Sequence, residues 1–153
     1  MHRIERYRAL CADGRTLDEQ RTLNNQGRWK PSTIVRLEWE HDGHSVEISH
    51  LYGLMAQLLP DGSGVAILRA SLRSRFSPAF EMIEPDGETR FTLESPIRID
   101  DHDLIGEFAW FEAPRPRAVH VVRLVFWSIA GDRYFLLDVD AETGVIEAVE
   151  PLQ

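Results

Sequence analysis

"RLEWEHDGHSVEISH", residues 36–50, is a strand, a turn and a second strand with nothing between them. Asp42-Gly43 suits a two-residue type I′ turn, whose central residues both need positive φ. With that turn, His41 pairs with His44, Trp39 with Val46, Leu37 with Ile48 and Val35 with His50. Period-two alternation then gathers Val35, Leu37, Trp39, Val46 and Ile48 on one face. Arg36, Glu38, Glu40, Glu47 and Ser49 fall on the other, so the unit is a hairpin with one buried side.

The hairpin's charged groups raise two questions. His41 and His44 face each other at the tip, about 5 Å apart at Cβ. His50 is about 20 Å further along the strand, and zinc normally needs three or four protein ligands, so no metal site is expected. On the polar face Glu38 opposes Glu47, a destabilising like-charge pair, with Glu40 beside it. Negative charge held together at a cost suits a basic partner, which makes Glu38, Glu40 and Glu47 candidate partner-binding residues. A merely solvated face is the plainer alternative.

The same turn grammar recurs outward, at Asp13-Gly14, Asp61-Gly62, Asp86-Gly87, Gly131-Asp132 and Thr143-Gly144. Short β-branched or alternating runs lie between several of these turns. "HVVRLVFWSI", 120–129, reads as a central strand covered on both faces. Followed by "RYFLLDV" and "VIEAV", it predicts a three-strand meander over 119–150. "DVDAETG", 138–144, departs from a calcium loop at Thr143 and Val149 and reads as the meander's last hairpin turn. "APRPRA", 113–118, is too proline-rich for a helix or a central strand. "LYGLMAQLL", 51–59, fits helix or buried strand, and Gly53 tips it to strand. Two Pro-Asp-Gly turns lie 25 residues apart, too close for propeller blades.

Two segments invite a helix. Thr16 and Glu19 match a capping box, with Gly27 as a stop. In "IDDHDL", 99–104, Asp100 or Asp101 can cap a helix whose apolar stripe is Leu104, Ile105, Phe108 and Phe111. The expected fold is therefore one mainly β domain over 1–153, an antiparallel meander forming a curved sheet or sandwich with one or two short helices. An α+β arrangement is the variant. Residues 1–30 form a basic N-terminal segment and 31–112 a run of hairpins.

The 153 residues are 43% hydrophobic and 27% charged, the balance of a folded globule. A single cysteine, Cys11, excludes an intramolecular disulfide and a multi-cysteine metal site. No apolar run approaches the roughly 20 residues of a membrane span, and the first residues lack a secretory signal's apolar stretch. A cytoplasmic location is expected, with no membrane partner. The net charge of −8 is uneven, +3 over residues 1–30 and −11 over the rest. That field repels nucleic acid and speeds encounter with a cationic protein.

No phosphate-binding glycine loop, nucleophile elbow or zinc-protease motif is present, so no catalytic residue or cofactor is expected. Trp110, in "EFAWFEAPRPR", 107–117, leaves the helical stripe and can project outward among residue types common at binding hot spots, although core packing of these aromatics is the plainer reading. If it stands beside Asp100, Asp101 and Asp103, these four complete the candidate binding set. The leading expectation is a non-enzymatic protein-binding module, concretely an immunity protein that blocks a basic bacterial toxin. An enzyme or small-ligand protein using Asp100, His102 and Asp103 is one alternative. A structural subunit of a phage or secretion assembly is the other.

Overall fold

The computed structural model describes residues 3–16, 19 and 33–152. The described residues are mostly strand, 61% against 1% helix, in antiparallel sheets that do not close into a barrel. β1 (Glu5–Cys11), β2 (Ile34–His41), β3 (His44–Leu58), β4 (Val65–Arg69), β5 (Ala79–Ile83) and β6 (Thr89–Glu94) form one sheet in chain order. β7 (Ile97–Ile99) and β8 (His102–Leu104) form a separate hairpin. β9 (Gly106–Phe111), β10 (Val121–Ser128), β11 (Arg133–Asp140) and β12 (Ile146–Leu152) form the second sheet, again in chain order.

The glycines of all six turns read from the sequence have positive φ. The hairpin of residues 36–50 has the expected register, His41 with His44 through Leu37 with Ile48. Asp42 and Gly43 sit at φ 49° and 77°, as the turn requires. The expected Val35–His50 pair is absent. Arg36 pairs with Ser49 but Ile34 with Leu54, so one residue of β2 faces four of β3 and the long strand bends sharply. Gly53 is needed at the bend, with φ +99° and a would-be Cβ 2.5 Å from Thr33 Cγ2. Residues 51–58 are strand, as the sequence predicts.

The bend folds the first sheet back over itself. Trp39 on β2 donates from Nε1 to the Pro85 carbonyl beyond β5, 2.7 Å away. Leu37, Trp39, Leu54, Val65, Ile67 and Ile83 fill the space inside the curl. Alternate residues of β4, Ala66 and Leu68, point the other way. They join Phe80 and Met82 against Phe108, Leu124, Phe126 and Leu137 of the second sheet. The molecule is thus both alternatives at once, a curved sheet whose outer layer forms half of a sandwich. Each fully buried large side chain contributes about 1.5–3 kcal/mol of transfer free energy, and β4 buries such groups on both faces.

The predicted helix after Asp100 is a correction. Residues 102–104 and 106–111 are strands β8 and β9. Val125 pairs with Trp110 and Phe126 with Phe108, leaving Ala109 as an extra residue in β9. The bulge buries the consecutive residues Phe108 and Ala109. A bulge breaks the period of two, and the broken period of "LIGEFAWF" imitates a helical stripe. Asp100 and Asp101, at φ 48° and 63°, are the centre of the tight β7–β8 turn, not a helix cap. Aspartate favours both positions, because its short side chain bonds local backbone and tolerates left-handed geometry.

Elsewhere the meander β10–β11–β12 is as expected, with β9 as an unpredicted fourth strand, and residues 112–115 of the proline-rich connection carry no regular structure. The DVDAETG stretch closes a hairpin, with Asp140 Oδ1 accepting from the amides of Glu142 (2.8 Å) and Thr143 (3.1 Å). These bonds hold the Asp140 carboxyl below its usual range. At the other proposed helix, Thr16 Oγ1 accepts from the Glu19 amide at 3.2 Å, half of a capping box. The rest of that segment, with Leu17, Leu23 and Gly27, lies outside the described residues. Cys11 is buried, and desolvation together with the charge of Asp13 pushes its thiol up.

Candidate functional site

On the charged face of the 36–50 hairpin the acids of β2 are paired, while Glu47 on β3 stays exposed. Glu38 and Glu47 do stand opposite each other. β1 runs beside β2, however, and places Arg8 Nη2 2.6 Å from Glu38 Oε1 and Arg6 Nη1 3.1 Å from Glu40 Oε2. Arg36 Nε lies 3.3 Å from Glu38 Oε2, close enough for an ion pair but without hydrogen-bond alignment. Ser49 Oγ donates to Glu47 at 3.0 Å. Part of the basic N-terminal segment and the acidic hairpin are therefore complementary halves of one sheet. Beneath this face Tyr7 packs on Trp39 with ring centroids 6.4 Å apart, and burial pushes its phenol up to about 12.

Several other acids are bound into turns. The Asp13, Asp61 and Asp86 carboxylates each accept from the amide two residues on, at 3.0, 3.0 and 2.9 Å. Asp138 is buried beside Arg123, Oδ1 to Nε 3.1 Å. The acids that reach furthest into solvent among the sequence candidates are those of the β7–β8 tip. Asp101 and Asp103 are exposed and each lies 3.7 Å from Arg98. His102 is exposed beside them, and no three His, Cys, Asp or Glu side chains among the described residues stand together as metal ligands.

Trp110 is partly exposed, not packed away in the core as the plainer sequence reading expects, and it keeps other company than the acids. Its ring lies against Phe76 (6.1 Å) and Tyr134 (5.8 Å), and its Nε1 donates to Glu112 at 3.1 Å. Phe76 also meets the edge of Trp127 at 5.7 Å. The Arg75 guanidinium stacks 5.2 Å from the Phe76 ring and 5.1 Å from Trp127. Asp100, Asp101 and Asp103 do not line the groove beside Trp110. The structure does not unite the acidic candidates with the aromatic one.

That groove, about 640 Å³, runs between the second half of β3, the 70–77 segment and β9. The segment is tied to the β3 bend, the Ala70 amide donating to the Gly53 carbonyl at 2.9 Å and His50 Nε2 bonding the Ala70 carbonyl at 2.7 Å. Ser77 anchors its far end by exchanging two backbone bonds with Phe108. Around it Leu51, Tyr52, Met55 and Leu72 expose from 48% to 83% of their surface, a concentration of large apolar groups that the core does not use. The sequence reading missed this segment. Its signal was "LRSRF", 72–76, where arginines alternate with serine between two large apolar residues.

No family model matches the chain, and neither does any curated protein. Among solved structures, a chain from the structure of Tne2 in complex with Tni2 has the same fold. The two superpose with a TM-score of 0.86 over 98% of this chain and 99% of that one, at 21% sequence identity.

Proposed function

We propose that this chain is a non-enzymatic protein-binding module, most concretely a cytoplasmic immunity protein that blocks a bacterial toxin by covering its working surface. The observation that carries the reading is the exposed apolar and aromatic surface around residues 70–77 and Trp110, anchored at both ends by backbone hydrogen bonds. Large aromatic and arginine side chains on a rigid support are what binding hot spots are made of. The solved chain of the same fold also comes from a complex of two proteins.

The toxin is a basic protein in this reading. A net charge of −8 raises the encounter rate with a cationic surface. Asp100, Asp101 and Asp103, on an exposed tip where Arg98 stands 3.7 Å from two of them, supply that attraction more directly than the half-buried Glu38 and Glu40, which are paired more closely with arginines; Glu47 is exposed and adds to it. The test is a pull-down from native host lysate at low and high salt, followed by expression of the captured protein alone and together with this chain. The expected outcome is one stoichiometric partner, held less well at high salt, that arrests growth alone and is silenced by co-expression. Normal growth of cells carrying the partner alone overturns the immunity role.

A further inference from the structure

We infer that the groove beside Trp110 receives a segment of a partner protein that presents a large apolar side chain next to a carboxylate; this deepens the protein-binding reading and rests on it. The chain as a whole has 25 acids against 17 lysines and arginines. Yet among the described residues the groove is lined by two arginines, Arg69 and Arg75, and no acid. Its floor and walls offer Tyr52, Met55, Phe76, Trp110 and Phe111. Local charge therefore opposes global charge at this one apolar surface.

The two arginines differ in readiness. Arg69 Nε is held by Glu81 at 2.6 Å. Arg75 is stacked on two aromatic rings, and its nearest carboxylate, that of Asp132, is 3.8 Å away. Stacking orients the guanidinium and leaves donors for a bidentate carboxylate. Arg73, on the other side of the exposed Leu72 ridge, is itself exposed, and its side chain has no hydrogen bond or ion pair to any described residue. A basic segment would meet like charge here. A purely apolar one would strip water from Arg75 without replacing it, which costs free energy. An apolar side chain flanked by aspartate or glutamate satisfies both requirements.

The experiment is selection of a displayed random dodecapeptide library on the full chain, followed by binding of the enriched synthetic peptides to wild type, Arg75→Glu and Trp110→Ala. Enriched peptides are expected to carry Asp or Glu beside Trp, Phe, Leu or Met. Each substitution should weaken them at least tenfold, with folding checked by circular dichroism. A peptide with Lys in place of its acid should recover binding on Arg75→Glu. Basic or acid-free winners, indifference to Arg75→Glu, or no enrichment at all would overturn the inference. So would self-association in sedimentation that Leu72→Asp abolishes, since the occupant would then be a second copy. If the peptides behave as expected but the captured partner is harmless, only the immunity role fails. If a toxin is neutralised regardless of Arg75→Glu, only the groove assignment fails.

Discussion

The hairpin face of β1–β3 and the groove beside Trp110 are both charged and aromatic-bearing, and they are built in opposite ways. On the hairpin face the charges answer one another across strands, Arg8 to Glu38 and Arg6 to Glu40, while the aromatic residues Tyr7 and Trp39 lie underneath. At the groove Tyr52 and Trp110 are exposed, with Leu72 exposed on the adjoining segment, and Arg75 rests on rings with its nearest acid 3.8 Å away. The first surface is engaged in holding the sheet together. The second, among the described residues, is engaged with nothing that would require it to be apolar. Concentrated charge in this sequence marks groups that pair with one another, whereas the exposed apolar area around residues 70–77 carries no such mark.

Substitutions can break this contrast, and the largest effect belongs to the hairpin side. Trp39→Ala removes a buried ring and the donor to the Pro85 carbonyl. It should cost about 3–5 kcal/mol of stability, measured by urea unfolding. A loss below about 1 kcal/mol would mean that the curl of the first sheet does not depend on this residue.

The next effect is one of pH. Tyr7 titrates near 10.0 when exposed and at about 12 in the folded chain. Its contribution is fully present below pH 10 and is lost as pH rises through 12, because the unfolded state releases the proton first. Stability should fall by roughly 2–3 kcal/mol across that window, and Tyr7→Phe should remove the fall. Unfolding midpoints of both proteins between those pH values decide it.

Smaller still is Arg8→Gln. It breaks an exposed ion pair and uncovers the Glu38–Glu47 repulsion, so about 0.5–1 kcal/mol should be lost at low salt and less at high salt. A loss that ignores salt would show that Arg8 acts by packing. Leu72→Asp should change stability by no more than about 0.5 kcal/mol, since 77% of that side chain is in water. A larger loss would move the ridge from the binding side of the comparison to the folding side.

Much of the fold was legible because it is written in local terms. An Asp-Gly turn fixes register for its own hairpin, and the meander's apolar strands follow one another with short turns. What the sequence hid is non-local or ambiguous. Nothing near Arg8 indicates that its partner is 30 residues away, so its charge and that of Glu38 read as two surfaces when they are one. The bulge at Ala109 turned a strand into an apparent helix, and the Asp100-Asp101 pair served either reading. An outward Trp110 is only the second reading after core packing, and the helix behind that option does not exist. The neighbours of Trp110 could not be read, since Phe76 and Tyr134 come from a turn-rich segment and another strand. The 70–77 segment has no period, and aperiodic residues give no clue to which way they face.

The double burial of β4 has a consequence in time. Val65 and Ile67 belong to the core inside the curl, Ala66 and Leu68 to the core between the sheets, and all four are 2% exposed or less. Neither core can open without stripping one side of the same five-residue strand. The amide protons of residues 65–68 should therefore exchange with deuterium last, at a rate set by global unfolding, while those of the 70–77 segment exchange through local fluctuations. On that prediction the segment that yields first is mounted on the strand that yields last, so its fluctuations leave both cores closed behind it.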